Sequence, residues 1–338
     1  RGHLVSVVTS RRRPGVPRVE VMEGIRVFRT WFPRRDPLGW IAHSLGSIGR
    51  TRGLARDSDI LHAQAFPSIL PMSLARAGRD IPLVATIHTS HFLTRAEKRS
   101  WRPILGQLVR TPDHTLAASQ EIANVAMGLA PGIEVEALAN GVETEVFRRI
   151  EPTLPVSHRP RIVVPRRLFH KNGVEFFVRA LPEILERADV EAVLVGDGPE
   201  GPRLKALVGE LGIAHRVTFL GRQDHASMPG ILSSGDLAVI PSLMEATSVA
   251  ALESMACELP VLASNVGGLP EIIDDSVGGL FDAGNPRALA RAVMEILAAG
   301  DLPERGRAAR GRVMELWSND RLADRHLEIY SDLLEMRG

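Results

Sequence analysis

Ten short apolar runs, spread over the whole chain and separated by helical or polar segments, restrict the fold more than any other feature. They fall at residues 4–9, 25–28, 60–63, 83–88 and 115–118, and again at 161–164, 191–195, 216–220, 237–240 and 260–263. Several are continuous Val, Ile and Leu rather than alternations with polar residues. A strand with one wet face alternates, whereas a continuous run is a strand buried on both faces, as in a parallel sheet covered by helices. The intervening segments read as helices, among them 68–77, 120–129, 173–187, 202–211, 247–257 and 286–299. Strand then helix, repeated, predicts an α/β, doubly wound fold.

The repeat is interrupted once. Residues 148–160 read RRIEPTLPVSHRP, with three prolines among polar neighbours, the composition of a linker. A chain of 338 residues is long enough for two ordinary domains. The expected division is a first domain over 1–150, a second over 151–318, and a C-terminal helix over 319–338 that packs back on the first. That helix carries a stripe of Leu322, His326, Ile329 and Leu333. Two such domains enclose a cleft, a preferred place for a ligand.

Charge is unevenly placed. Residues 1–150 hold 21 Lys and Arg against 13 Asp and Glu, a balance of +8, and residues 151–338 come to −7. The basic half suits an anionic partner, such as an acceptor that carries charge or is presented on a lipid surface, or it is a solvated basic face. Arg11-Arg12-Arg13 and Arg34-Arg35 fit either reading. Nothing points to nucleic acid. The single cysteine, Cys257, excludes an internal disulfide and argues for a reducing, cytoplasmic setting, with peripheral membrane contact through the basic half. No apolar run is long enough to span a bilayer. With one Tyr in the chain, an aromatic-lined ligand platform is not expected.

Four stretches carry candidate chemistry. In the first, residues 241–268, Glu245 and Glu253 flank Ala246-Thr247-Ser248, which reads as a helix start after a buried strand. Free N–H groups of a first helical turn suit a phosphate, and a carboxylate on either side can accept from sugar hydroxyls. A capping residue and a solvated helix glutamate explain the same spacing. In the second, Arg167 and Lys171 follow the strand at 161–164 and are placed to clamp a diphosphate, with Arg166 competing for the role and a surface basic loop as the plain alternative. In the third, GDGPEG at 196–201 fits the Gly-x-Gly-x-x-Gly pattern of dinucleotide sites, and Arg222 at the next strand end suits NADP. Pro199 and Pro202 interrupt that turn, and a Gly-rich strand end explains it equally. In the fourth, IHTSHF, the His88/His91 pair lacks the companions of a metal site. His88, at a strand end, is the better hydrogen-bond donor, while His62 reads as a packed core residue.

Glu245-x7-Glu253 followed by SMACELPVLASNVGGLPEII resembles the donor-site signature of glycosyltransferase family four, with the GT-B fold of two doubly wound Rossmann-like domains facing each other across a cleft. Further landmarks resemble the family in order: DILHAQ, TIHTSHF, SQEI and NGVETEVF in the first half, then RRLFHKNG, LVGDGPE, TFLG and GLFDAGNPRALA in the second. The resemblance implies a retaining transfer from a UDP- or GDP-linked sugar to an acceptor hydroxyl, without metal or other cofactor, in cell-envelope glycan or glycolipid synthesis. It implies catalytic roles for His88, Arg167, Lys171 and Glu245. It implies donor contacts from Gly196, Gly221, Thr247, Ser248, Val249 and Glu253. An NADP-dependent oxidoreductase, or a non-catalytic nucleotide-binding protein, is the alternative.

Three departures from the family bear on these expectations. Ala246-Thr247-Ser248 stands where Gly-Phe-Gly is common, so the donor geometry there is expected to differ. KNG replaces KG and shortens the spacing from Arg167 to Lys171. The family's first strand and its Gly-rich loop do not precede Arg1, and a chain lacking that loop is expected to turn over weakly or not at all.

Overall fold

The structure is a computed structural model that describes residues 2–11, 15–32, 37–88 and 90–337. Arg12, Arg13, Arg34 and Arg35, read above as basic loop residues, lie outside the described residues. The chain forms two compact units. The first comprises residues 1–118, 122–137 and 327–338, and the second 119–121 and 138–326, so the Pro-rich stretch 148–160 belongs to the second.

The first unit holds two sheets. Strands β1 (Ser6–Arg11), β2 (Val19–Met22) and β3 (Ile25–Trp31) pair in the order β1-β3-β2. β1 is parallel to β3, and β2 is antiparallel to it. The parallel reading of the sequence missed β2. Its hairpin turns on Glu23 and Gly24, both at positive φ, the two-residue turn that matches strand twist. The second sheet is fully parallel, in the order β4 (Leu61–Ala63), β5 (Leu83–Ile87), β6 (His114–Ala117), β7 (Glu136–Ala137). β5 is buried along its whole length, as its continuous LVATI run requires. His62 hydrogen-bonds both Thr86 on β5 and Tyr330 on the C-terminal helix Asn319–Glu335, so this histidine ties elements together rather than only filling space.

The second unit is one six-stranded parallel sheet between two helical layers. Its strands are β8 (Arg161–Pro165), β9 (Glu191–Val195), β10 (Val217–Gly221), β11 (Leu237–Ile240), β12 (Val261–Ser264) and β13 (Gly278–Phe281), in the order β10-β9-β8-β11-β12-β13. Alternation along a buried strand divides the core. Ile162 and Val164 of β8 pack with helices Val174–Leu185 and Pro286–Ala299 on one face. Val163 packs with helices Val249–Ala256 and Leu302–Leu316 on the other. The sequence pattern hides β13 and the helix Leu302–Leu316, because Gly278-Gly279 disguises a buried strand and the charged LPERGRAARGRV a half-buried helix.

Chain order runs outward from β8 through β9 to β10, then returns to β11 on the other side of β8. The loops leaving the carboxyl ends of β8 and β11 therefore diverge, and this topological switch point is where open α/β sheets hold ligands. Among the described residues no helix is long and apolar enough to cross a membrane.

Candidate active site

Arg166 is the first residue past β8, and its guanidinium gathers the loops at the switch point. Nη2 donates to the Glu245 carboxylate in an ion pair, to Ser242 Oγ at 2.7 Å and to Asn172 Oδ1 at 3.1 Å. Nη1 donates to Ser248 Oγ at 3.3 Å. The two side chains are only 10% and 13% exposed, so both charges depend on these contacts. Arg166 Nε is buried with no hydrogen-bond partner. A buried, unfilled donor on a cation is a place for an anionic oxygen.

The helix Val249–Ala256 opens beside this cluster. Ser248 is its N-cap, and its Oγ accepts from Ala251 N–H at 3.3 Å. The N–H groups of Val249 and Ala250 belong to the first turn, which has no intrahelical acceptor. Thr247 and Ser248 are buried, and Val249 is exposed. The Ala246-Thr247-Ser248 departure costs no backbone strain, since the non-glycine residues at positive φ among those described are Glu23 and Glu258.

Glu253 lies in the second turn of that helix and is 9% exposed. Burial pushes its carboxyl above the usual carboxylate range, and His225 pulls in the opposite direction. His225 Nε2–H donates to Glu253 Oε1 at 2.9 Å, and the imidazole stands 4.9 Å from the ring of the buried Phe147. A carboxylate with one oxygen so held can still accept from neighbouring hydroxyls through the other.

Two glycine loops brace the cluster. Gly196, at φ +143°, passes so close to the loop after β8 that a Cβ would fall 2.4 Å from the Arg166 carbonyl oxygen. Leu168 N–H donates to the Asp197 carbonyl at 2.8 Å, and Gly196 N–H to that of Gly221 at 2.8 Å. The glycines of GDGPEG are thus used in loop-to-loop packing, which removes the feature that motivated a dinucleotide site. On the other side, a Cβ on Gly267, at φ +57°, would fall 1.8 Å from the Glu245 carbonyl oxygen, and Gly268 N–H donates to Ala246 O at 3.1 Å.

The remaining expected residues separate. Arg167 is exposed, its guanidinium 5.7 Å from the Phe169 ring, while its neighbour Arg166 meets Glu245. Successive side chains at an extended strand end point to opposite sides, which is why only one of the two arginines can reach. Lys171 is exposed, and its carbonyl accepts from Leu243 N–H at 2.8 Å. His88, in the first unit, follows β5, and its Nε2–H donates to Gln64 Oε1 at 2.6 Å. Among the described residues one cluster could hold a metal ion, the ligand atoms of His170, Glu175 and Glu200 lying within 4.8 Å of one another. Arg203 already pairs with both carboxylates, at 2.7 and 2.9 Å.

Sequence reasoning missed Ser242, Asn172 and His225. Asn172 had a signal, being the extra residue in KNG. Its Oδ1 accepts from Arg166 and its Nδ2 donates to the Arg167 carbonyl at 2.6 Å. His225 had none, because it follows a different strand, 28 residues from Glu253.

Comparison with known proteins bears on what such a site does. A family model described as "Glycosyl transferase 4-like domain" matches residues 1–141, and one described as "Glycosyl transferases group 1" matches residues 159–299. The chain is 36% identical over 174 residues to an uncharacterized glycosyltransferase of Methanocaldococcus jannaschii, covering 51% of this chain and only 45% of that protein. It is 28% identical over 288 residues to N-acetyl-alpha-D-glucosaminyl L-malate synthase of Bacillus anthracis, covering 82% of this chain and 75% of that protein. It is 31% identical over 270 residues to D-inositol 3-phosphate glycosyltransferase of Corynebacterium diphtheriae, covering 71% of this chain and 62% of that protein. Among solved structures, sucrose-phosphate synthase from Thermosynechococcus elongatus superposes with a TM-score of 0.86 at 23% identity, covering 99% of this chain and 90% of that one. Anabaena HepE in complex with UDP and glucose gives 0.77 at 21% identity, covering 91% and 86%. At these identities the structural likeness shows the fold alone.

Proposed function

The chain belongs to glycosyltransferase family four, with the GT-B fold, and from that premise we propose that its second unit binds a UDP- or GDP-linked sugar for a retaining transfer to an acceptor hydroxyl. The observation that carries this reading is the Arg166–Glu245 pair beside the N-terminus of helix Val249–Ala256, with the buried Glu253 one turn further in. Arg166, with its unfilled Nε, takes an oxygen of the diphosphate, and the N–H groups of Val249 and Ala250 take others. Lys171, exposed at the same loop, adds a mobile positive charge as the diphosphate leaves. Glu253 accepts from the ribose hydroxyls, and Glu245 faces the donor sugar.

In the transfer, the bond from the anomeric carbon to the diphosphate oxygen breaks. The acceptor oxygen bonds to the same face of the carbon, and its proton passes to the departing phosphate oxygen. Catalysis then rests on positioning and on stabilising charge at the leaving group, with no metal ion. His88 of the first unit is assigned to the donor sugar. The HepE structure contains UDP, and its fold supports the nucleotide assignment without choosing the base. The malate and inositol 3-phosphate in two relatives' names favour an acceptor that carries negative charge.

The test is a panel of nucleotide sugars incubated with the full chain and followed by proton NMR. The reading expects one donor to be consumed with the axial or equatorial sense of its anomeric bond preserved, and Glu245→Ala to stop it. Inversion at the anomeric carbon contradicts the retaining assignment.

A further inference from the structure

The first unit contains a cavity of about 850 Å³ that the donor site does not use, and four arginines line it. Arg11 ends β1, Arg18 precedes β2, Arg29 lies on β3, and Arg50 comes from the helix Pro37–Leu54. Among the described residues no carboxylate lines it. Arg29 is ion-paired with Glu20, outside the lining. Arg50 rests over the Phe28 ring, 5.0 Å from its centroid, and among the described residues the side chains of Arg11, Arg18 and Arg50 make no hydrogen bond or ion pair. Four guanidinium groups around one space repel one another, and one internal carboxylate offsets only a quarter of that charge. An anion in the space removes the repulsion.

Size and lining narrow the ligand further. The cavity is far larger than a lone inorganic ion needs and lies within the range of small-molecule sites. Trp31, 62% exposed, adds an aromatic face to the lining, the kind of surface on which the C–H side of a sugar or cyclitol ring rests. Besides Arg50 and Leu54 the helix contributes Gly46, Gly49 and Gly53, so part of its side of the cavity is bare backbone. A Cβ on Gly49 or Gly53 would meet nothing within 4 Å.

We propose that this arginine cavity binds the phosphate group of a phosphorylated small polyol or sugar, which is the anchor of the glycosyl acceptor. Guanidinium groups grip phosphate through paired N–H donors, and a phosphate monoester carries up to two charges to spread over them. The role as acceptor anchor rests on the glycosyltransferase reading; the anion site itself does not.

Isothermal titration on the full chain tests it, with UDP or GDP saturating so that the donor site is filled. The probes are inorganic phosphate, glucose 1-phosphate, and phosphatidylcholine vesicles with and without phosphatidylinositol. At least one phosphate probe is expected to bind, less tightly as salt rises, with the double variant Arg11→Gln/Arg50→Gln weaker by about tenfold or more. Gly49→Glu is expected to abolish binding while the protein stays folded, since it puts a carboxylate into the cavity and replaces a helix-weakening glycine. Binding of the soluble probes assigns a free phosphate compound, and binding only to vesicles with phosphatidylinositol assigns a lipid headgroup. If UDP or GDP binds and no phosphate probe does, or if both variants bind as wild type, the proposal is overturned while the donor site stands. If a phosphate probe binds and neither nucleotide does, the anion site stands and the donor reading fails.

Discussion

The Arg166 guanidinium holds the Glu245 carboxylate across the switch point between β8 and β11, joining two loops whose attachment points are 79 residues apart in sequence. Ser242, Asn172 and Ser248 complete the set of acceptors around it. The candidate donor site is therefore ordered by an internal ion pair.

Because Arg166 and not Arg167 makes these contacts, their substitutions separate. Arg166→Gln is expected to weaken nucleoside diphosphate binding by about tenfold or more, the value of a charge-assisted hydrogen bond in a desolvated site. Arg167→Gln, at an exposed position, is expected to change it by less than about threefold. Competition titrations with a fluorescent nucleotide compare the two.

Glu253 carries a pH signature. Burial raises its carboxyl in the folded state above the unfolded value, so the folded chain holds a proton that the unfolded chain has already released. The stability this confers is full below the unfolded pKa, near 4.5, and is lost as pH rises through the higher folded value. Glu253→Gln cannot ionise and removes that slope. Its melting temperature, compared with wild type at about pH 4.5 and pH 7, is expected to gain on wild type at the higher pH, while nucleotide binding weakens.

His225 places the donor on Glu253 Oε1 and rests on Phe147, so it orients the carboxylate that the proposed function assigns to the ribose. His225→Phe keeps a ring over Phe147 and deletes the donor. The ratio of affinities for a nucleoside diphosphate and its 2′-deoxy analogue is expected to fall in this variant, and to fall further in Glu253→Gln. An unchanged ratio in His225→Phe removes His225 from the site.

Cys257 is the fully buried C-cap residue of helix Val249–Ala256, and burial pushes its thiol up to about 12. It is expected to resist iodoacetamide at pH 8 in the folded chain and to react after denaturation, as mass spectrometry can count.

Helix Val249–Ala256 ends on Glu258 at φ +60°, with Leu259 N–H donating to Ser254 O at 3.0 Å and Glu258 N–H to Met255 O at 3.0 Å. That is a Schellman ending, in which glycine is the unstrained residue. Glu258→Gly is expected to stabilise the chain by about 1 kcal/mol, measured as a shift in urea midpoint at constant slope.

Much of this architecture was legible because it depends on local pattern. Continuous, short runs such as LAVI at β11 and LVATI at β5 read as strands buried on both faces, and both are. β2, and with it the hairpin to β3, was missed because β2 is short and mostly exposed, although Glu23-Gly24 was a readable turn. At the site, Glu245 and Glu253 were legible because they lie beside one helix start. The choice between Arg166 and Arg167 was not, since it depends on which way one side chain leaves a strand end. His225 and the arginine cavity depend on packing between segments far apart in sequence, which spacing does not encode.

The central claim is that the second unit is a nucleotide-diphosphate site read by Glu253 and Arg166. Isothermal titration of UDP and of GDP into the full chain, repeated with Glu253→Ala, tests it most directly. The account predicts that one of the two nucleotides binds and that the variant binds it at least about tenfold more weakly. Binding of neither nucleotide, or equal binding by wild type and variant, contradicts it.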